Sequence, residues 1–255
     1  MGKKIVMLAG KGSSTLFMYN GIKDQYQIDK VIIEQPVNRK IFIKRRIKKL
    51  GLATVFGQIM FQIFCVKFLN ITSKRRVQEI KLSNNLSDKS ISEAVLIEVP
   101  SVNSNECKTL LQKLNPDIII VNGTRIISKK ILNSTNAVFV NTHAGITPNY
   151  RGVHGAYWAL ANNDLNNCGT TVHLVDPGID TGGILYQENI EVLNNDNFTT
   201  YTYLQIAKGI KLMKKAIDDV INNSISIKNN NSKSNLWSHP TIWKYVWLRI
   251  IKGIK

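Results

Sequence analysis

The segment N-T-H-A-G-I-T-P-N-Y-R-G, residues 141–152, is followed at 169–183 by G-T-T-V-H-L-V-D-P-G-I-D-T-G-G. Asn141 and His143 stand two apart, so on a pleated strand their side chains leave by the same face. The Gly and Pro residues through 145–152 hold a loop open around them, and a second loop, 176–183, delivers the carboxylates Asp176 and Asp180. An amide N–H and an imidazole stabilise an oxygen that gains negative charge, while a carboxylate orients the imidazole and raises its pKa from about 6.5. This chemistry suits transfer of an acyl group to an amine. No Ser or Cys nucleophile stands beside His143, so direct attack by the substrate amine is more economical than a covalent acyl-enzyme.

Such a trio has to be positioned at one end of a sheet. Short β-rich runs at 4–9, 30–34, 94–99, 117–122, 137–141 and 169–175 alternate with helical segments. Unbroken apolar runs such as Ile118-Ile119-Ile120-Val121 suit strands covered on both faces. They predict a parallel α/β sheet with its site beyond the carboxyl ends of the strands. The first strand runs into Ala9-Gly10-Lys11-Gly12-Ser13-Ser14-Thr15, a turn able to aim backbone N–H groups at an anion. The third Gly of G-x-G-x-x-G is absent and no G-K-[ST] follows the loop. Two readings stay open: a phosphate cradle formed by Gly10, Lys11, Gly12 and Ser13, or a tight turn with a Ser or Thr cap.

The chain has 255 residues, 44% of them apolar, enough to bury the core of one large domain and to exclude disorder as the overall state. Its 34 Lys and Arg outweigh 17 Asp and Glu, a net charge of +17 that implies an anionic partner. Cys65, Cys107 and Cys168 lack any C-x-x-C spacing, so neither a disulfide framework nor a zinc site is read, and a reducing cytoplasm fits. The start MGKKIVMLAG reads as a first strand and not as a signal peptide.

Two segments break the α/β rhythm. No acidic residue lies between Glu34 and Glu79, yet 11 of the 34 basic residues fall there, flanking the apolar stretch 50–66. Thr54, Gln58 and Gln62 stand four apart, a thin polar stripe on a helix bedded in protein or lipid; at 17 residues the stretch is short for a membrane span, and none is predicted. The other segment follows an Asn/Ser-rich linker at 229–235 and interleaves Trp243, Tyr245 and Trp247 with Lys244, Arg249 and Lys252. The division expected is a catalytic domain at 1–223, with an insertion at 35–78, and a basic, Trp-rich extension at 224–255.

At its chemical centre the sequence resembles the folate-dependent formyltransferase family, which includes glycinamide ribonucleotide, methionyl-tRNA and amino-sugar N-formyltransferases. The family's Asn-x-His, with a Pro and a Gly in fixed register, is present as Asn141, His143, Pro148 and Gly152, and its Asp before Thr-Gly or Gly-Gly as Asp180. P-D-I-I-I-V-N-G-T-R-I-I-S, residues 116–128, looks like the family strand whose following backbone recognises the pterin. The likeness covers 116–190 and 1–34 and is absent from 35–78 and the tail. It departs where the frequent Ser-Leu-Leu-Pro is Gly145-Ile146-Thr147-Pro148, and where one extra residue falls near Asn166 and Asn167.

This resemblance implies a Rossmann-like parallel-sheet formyltransferase fold and formyl transfer from 10-formyltetrahydrofolate, with no metal. It implies that Asn141 and protonated His143 stabilise the oxyanion formed as a neutral amine attacks. Asp180, preferred to Asp176 for its following Thr-Gly-Gly, holds His143. Arg125, Ile126 and Ile127, with Val175, Asp176, Gly178 and Ile179, are implied to contact the pterin largely through backbone. Tyr150, Arg151, His154 and Tyr157 are candidates for the acceptor, His154 and Tyr157 being read equally as helix-start packing. His173 and His239 are read as structural.

A tRNA formyltransferase explains the charge through phosphate contacts, but such enzymes resemble longer chains with a substantial carboxyl-terminal domain. A glycinamide ribonucleotide formyltransferase has no counterpart to the basic insertion, and a formyltetrahydrofolate hydrolase carries an amino-terminal regulatory domain. The run Y-R-G-V-H-G-A-Y-W-A-L looks most like amino-sugar formyltransferases of surface-polysaccharide pathways. The expectation is N-formylation of an amino sugar on a nucleotide or a polyprenyl phosphate, in the cytoplasm and with no specific nucleic-acid partner. The insertion and the tail have the composition of interfacial membrane segments, which leaves open peripheral contact with the anionic inner face of the membrane. The alternative is that they pack on the catalytic domain or build a homo-oligomer interface. A reading of another class is a catalytically silent domain that binds anionic membrane or nucleic acid; the intact trio argues against it.

Overall fold

The computed structural model describes residues 2–228, 230 and 232–255, so the linker at 229–235 lies partly outside the described residues. The chain begins β1 (Ile5–Gly10), α1 (Ser13–Ile22) and β2 (Ile28–Glu34). The insertion follows as α2 (Arg39–Leu50), α3 (Leu52–Met60), a π-helical turn (Phe61–Val66), α4 (Lys67–Thr72) and α5 (Lys74–Ser83). Then come β3 (Leu96–Val99), α6 (Asn105–Leu114), β4 (Ile118–Asn122), α7 (Lys129–Leu132), β5 (Val138–His143), β6 (Arg151–Gly152) and α8 (Gly155–Ala161). The chain ends with β7 (Gly169–Leu174), β8 (Ile184–Asn189), α9 (Tyr201–Ile221), β9 (Leu236–Trp237) and α10 (Ile242–Lys252).

Seven strands form one sheet in the order β3-β2-β1-β4-β5-β7-β8. All six runs expected from the sequence are strands of it, and β8 joins at the edge. From β3 to β5 the pairing is parallel, as the apolar runs predict, and β7 runs antiparallel to β5 and to β8, so the sheet is mostly parallel with an antiparallel edge. The short hairpin between β7 and β8 allows this, since antiparallel neighbours need no crossover helix.

The inner strand β4 is buried throughout, because α1 and α9 cover one face of the sheet and α6 and α7 the other. Local sequence sets the ends of the helices. Ser104 accepts from the N–H of Cys107 to start α6, which stops at the left-handed Asn115; Thr241 accepts from Lys244 to start α10, which stops at Gly253.

A third cluster lies beyond the strand ends, where Phe61 and Leu69 of the insertion pack with Tyr157 of α8, Phe198 and Tyr245 of α10. Helix runs unbroken from Leu52 to Thr72. At 21 residues this segment is long and apolar enough to cross a membrane by length and composition, longer than the 50–66 stretch because Lys67 does not end it. Its polar stripe turns inward: Gln58 accepts from Arg46 and donates to the His239 carbonyl at 2.7 Å, and Gln62 meets the His239 ring. Arg76 closes the insertion with a bidentate pair to buried Asp196, at 2.8 and 3.0 Å.

Candidate active site

β5 runs to His143, so Asn141 and His143 leave one face at the carboxyl end of an inner strand. In the antiparallel register with β7, Asn141 lies opposite His173 and His143 opposite Thr171. Thr171 holds the following loop: its Oγ1 donates to the Gly145 carbonyl at 2.8 Å and accepts from the Thr147 N–H at 3.1 Å. Asp180, in the left-handed region at φ 52°, arrives from the β7–β8 hairpin.

The three groups meet. Nδ1 of His143 is 3.3 Å from Oδ2 of Asp180, and Nε2 of His173 is 3.7 Å from Oδ1. Nδ2 of Asn141 donates to Nε2 of His173 at 3.1 Å, while Nδ1 of His173 donates to the Leu174 carbonyl at 2.6 Å. The Leu174 carbonyl needs a donor, so Nδ1 of His173 carries a hydrogen, and Nε2 is the ring atom that meets the Asn141 amide. Asn141 keeps its second amide hydrogen for a further acceptor. Asp180 also accepts from the Gly152 N–H at 3.0 Å. Asp176, the rival carboxylate, instead accepts from Thr181 and the Gly178 N–H within its own loop.

The electrostatics correct one expectation. Nε2 of buried His143 donates to the Tyr150 carbonyl at 2.7 Å. Burial holds the His143 pKa below its ordinary value of 6.5, against the raising effects of Asp180 and of that carbonyl. The ring is therefore neutral at neutral pH and aims no free N–H into the cavity. For Asp180, burial alone raises the pKa, but His173, His143 and the Gly152 N–H together hold it below 3.8. Nδ1 of His143 and the Asp180 carboxylate thus face each other, and the carboxylate favours a proton placed between them.

All these groups line a cavity of about 330 Å³ together with Arg125, Ile126, Ile127, Val175, Asp176, Gly178 and Ile179. The Arg125 guanidinium is committed beside the cavity: Nε pairs with Glu34 at 2.6 Å and Nη2 donates to the Gln35 carbonyl. The volume and the mixture of apolar and polar lining residues suit a small organic ligand.

The acceptor candidates are divided. Ser13 and His154 line a second cavity of about 280 Å³, which Gln62, Val66 and Asn70 of the insertion and His239 complete. His154 donates from Nε2 to Nδ1 of His239 at 2.9 Å. Gly10, Lys11 and Gly12 lie outside this cavity. Gly10 is required because a Cβ there comes within 2.2 Å of the Gly123 carbonyl, and no Ser or Thr side chain caps α1; Thr15 donates back to the Gly10 carbonyl at 2.6 Å. Three side chains point elsewhere. Tyr150 is buried and donates to Asp164, Arg151 donates to the Ile179 carbonyl at 2.9 Å, and Tyr157 is packed between Trp158 and Phe198.

Sequence reasoning missed the place of His173, His239 and the insertion in the two cavities. The β5–β7 register is the signal that finds His173; none in the sequence finds Gln62 or Asn70.

A family model described as "Formyl transferase" matches residues 63–217, which takes in 63–78 at the end of the insertion and corrects the expectation that the likeness is absent there. A methionyl-tRNA formyltransferase of Caldicellulosiruptor saccharolyticus is 28% identical over 81% of this chain and 59% of its own length. The chain spans about half the length of the curated relatives it matches, 40% and 59% of two of them. Among solved structures, a sugar N-formyltransferase from Shewanella sp. superposes with a TM-score of 0.57 at 16% identity, over 92% of this chain and 76% of that one. An N-formyltransferase from Helicobacter canadensis, in complex with folinic acid and dTDP-3-aminofucose, superposes with a TM-score of 0.55 at 21% identity, over 93% and 71%. At such identities the likeness is one of fold, whereas the model match extends over more than half of the chain: this protein belongs to the formyl transferase family.

Proposed function

We propose that the protein transfers the formyl group of 10-formyltetrahydrofolate to the amine of a small substrate, an amino sugar, in the cytoplasm at the inner face of the membrane. The convergence of Asn141, His143, His173 and Asp180 at one cavity carries the reading. As a neutral amine attacks the formyl carbon, the free N–H of Asn141 meets the oxygen that gains charge. The nitrogen must then lose a proton, which the facing pair of Asp180 and Nδ1 of His143 accepts; as the oxyanion collapses, the bond from the formyl carbon to N10 of the donor breaks, N10 takes up a proton, and tetrahydrofolate leaves. His173 keeps the Asn141 amide turned, and Gly152 keeps Asp180 turned. The backbone at 124–127 and the loop at 175–179 hold the pterin of the donor. The acceptor enters from the side of Ser13, His154 and His239.

Methionyl-tRNA is the second reading, favoured by the names of the relatives. One assay separates the two: the full chain is incubated with 10-formyltetrahydrofolate and either amino sugars or methionyl-tRNA, and formamide products are identified by mass spectrometry. Formylation of an amino sugar alone is expected. Formylation of methionyl-tRNA alone replaces the sugar, and no product from either removes the enzyme.

A further inference from the structure

We propose that the outer face of the insertion and of α10 seats the protein on an anionic lipid bilayer, and that the amine it formylates is carried on a lipid; the second part rests on the formyl-transfer reading.

The long helix Leu52–Thr72 is apolar, yet only 28% of its most apolar stretch is buried. Leu52, Phe56, Ile63, Phe64, Phe68 and Ile71 are each more than half exposed. Their spacing draws one stripe, and the single-residue step from Ile63 to Phe64 falls inside the π-helical turn, whose wider winding keeps the stripe on one side. α10 repeats the pattern: Tyr245 and Leu248 are buried while Trp243, Trp247, Ile250 and Ile251 are exposed. The two stripes adjoin, since a Cβ on Gly57 comes within 2.2 Å of the Trp243 ring.

Charge identifies the occupant. Residues 35–78 hold eleven Lys and Arg, residues 236–255 hold four, and neither segment holds an acid. The remaining 19 basic and 17 acidic residues of the chain nearly cancel. A second copy seated on this face brings cations against cations, whereas an anionic bilayer satisfies both the apolar stripes and their basic surround. The helix lies on the bilayer and does not cross it, because its other side is committed. Phe61 packs edge-on against Phe198 at 4.8 Å and beside Tyr245, and Gln58 is bonded to His239. Withdrawing the segment into lipid strands those partners.

Gln62, Val66 and Asn70, on the inner side of the same helix, line the second cavity. The wall of the second cavity, on whose side the proposed acceptor enters, is thus the back of the docking face, and this is the observation behind the lipid carrier.

The test uses the full chain, phosphatidylcholine vesicles with or without phosphatidylglycerol, and the variant Phe64→Ser/Phe68→Ser/Trp247→Ser, none of whose positions lines either cavity. Co-sedimentation with anionic vesicles at low salt, weakened about tenfold or more in the variant, is expected. Wild-type chain left in the supernatant, equal binding by the variant, or a dimer whose formation abolishes vesicle binding overturns the docking. For the carrier, the variant is expected to lose turnover on an amino sugar linked to polyprenyl phosphate in vesicles and to keep it on a nucleotide-linked one. Equal retention on both overturns the lipid carrier. Vesicle binding without formylation of any amine overturns the catalytic reading and leaves the docking standing.

Discussion

Gly152 and Trp237 lie opposite each other in a two-stranded parallel sheet, and the same Gly152 donates its N–H to the Asp180 carboxylate at 3.0 Å. At φ 97° Gly152 is in the left-handed region, and a Cβ there comes within 2.3 Å of the Trp237 carbonyl. The tail therefore braces the catalytic loop. Trp237 adds an indole N–H to the Asn149 carbonyl at 2.9 Å and stacks on Trp158 and Tyr150.

Replacing Trp237 by Ala removes the stack and the bond together. A loss of about 3 kcal/mol in urea denaturation is expected. So is at least about a tenfold fall in kcat, because a looser loop no longer fixes Asp180. Trp237→Phe keeps the stack and forfeits only the hydrogen bond, about 1 kcal/mol. Unchanged kcat in the Ala variant removes the bracing role.

Among the described residues lining the cavity, Asn141 is the one side-chain amide, and one of its hydrogens stays free for the oxyanion. Asn141→Ala is expected to lower kcat by about 10²–10³-fold, with KM for the formyl donor little changed. His173→Ala leaves the amide present but unanchored and is expected to cost about tenfold, with His173→Gln recovering part of it through its side-chain carbonyl. A His173→Ala variant as poor as Asn141→Ala points to direct contact of His173 with the reacting atoms.

Much of this arrangement is legible in the sequence because the physics behind it is local. The run Ile118-Ile119-Ile120-Val121 is apolar on both faces, so a doubly covered strand is its natural state, and Asn141 and His143 share a face by pleat alone. The rest depends on long-range pairing. β8 falls from buried Ile184 to exposed Asn189, as an edge strand does, and β6 and β9 are two residues each, too short for any pattern. His173 reads as one more strand residue until the antiparallel register sets it opposite Asn141. The neutral state of His143 follows from burial by loops distant in sequence, which no motif encodes.

Asp180→Asn keeps the shape of the side chain but removes the charge that makes it a proton acceptor. The Gly152 N–H still finds an oxygen, so stability is expected to change by less than about 1 kcal/mol. The rate is expected to fall about 10²–10⁴-fold. Partial recovery at high pH, where the attacking amine sheds its proton to solvent, is the accompanying signature. A full rate at neutral pH assigns the proton to another group.

Stability itself should depend on pH through the histidines. Burial lowers His154 to about 3 and His239 to about 4, and it lowers His143 as well, whereas in the unfolded chain each titrates near 6.5. Below about pH 6.5 the unfolded chain therefore binds protons that the folded chain refuses, so stability is complete above that pH and falls on acidification. At about pH 5 the withheld proton costs about 2 kcal/mol at each of His154 and His239. Asp180, with its pKa also lowered, works lower still, losing its contribution only below its unfolded value near 3.8. The urea midpoint is expected to be flat from about pH 8 to 7 and to fall steadily towards pH 4. His239→Asn, which removes one titrating ring and leaves a side-chain oxygen for the His154 N–H, should make that fall shallower. A midpoint equal at about pH 7.5 and 5 means that the rings take up protons in place, and the paired, neutral His154 and His239 would then not describe the wall of the second cavity.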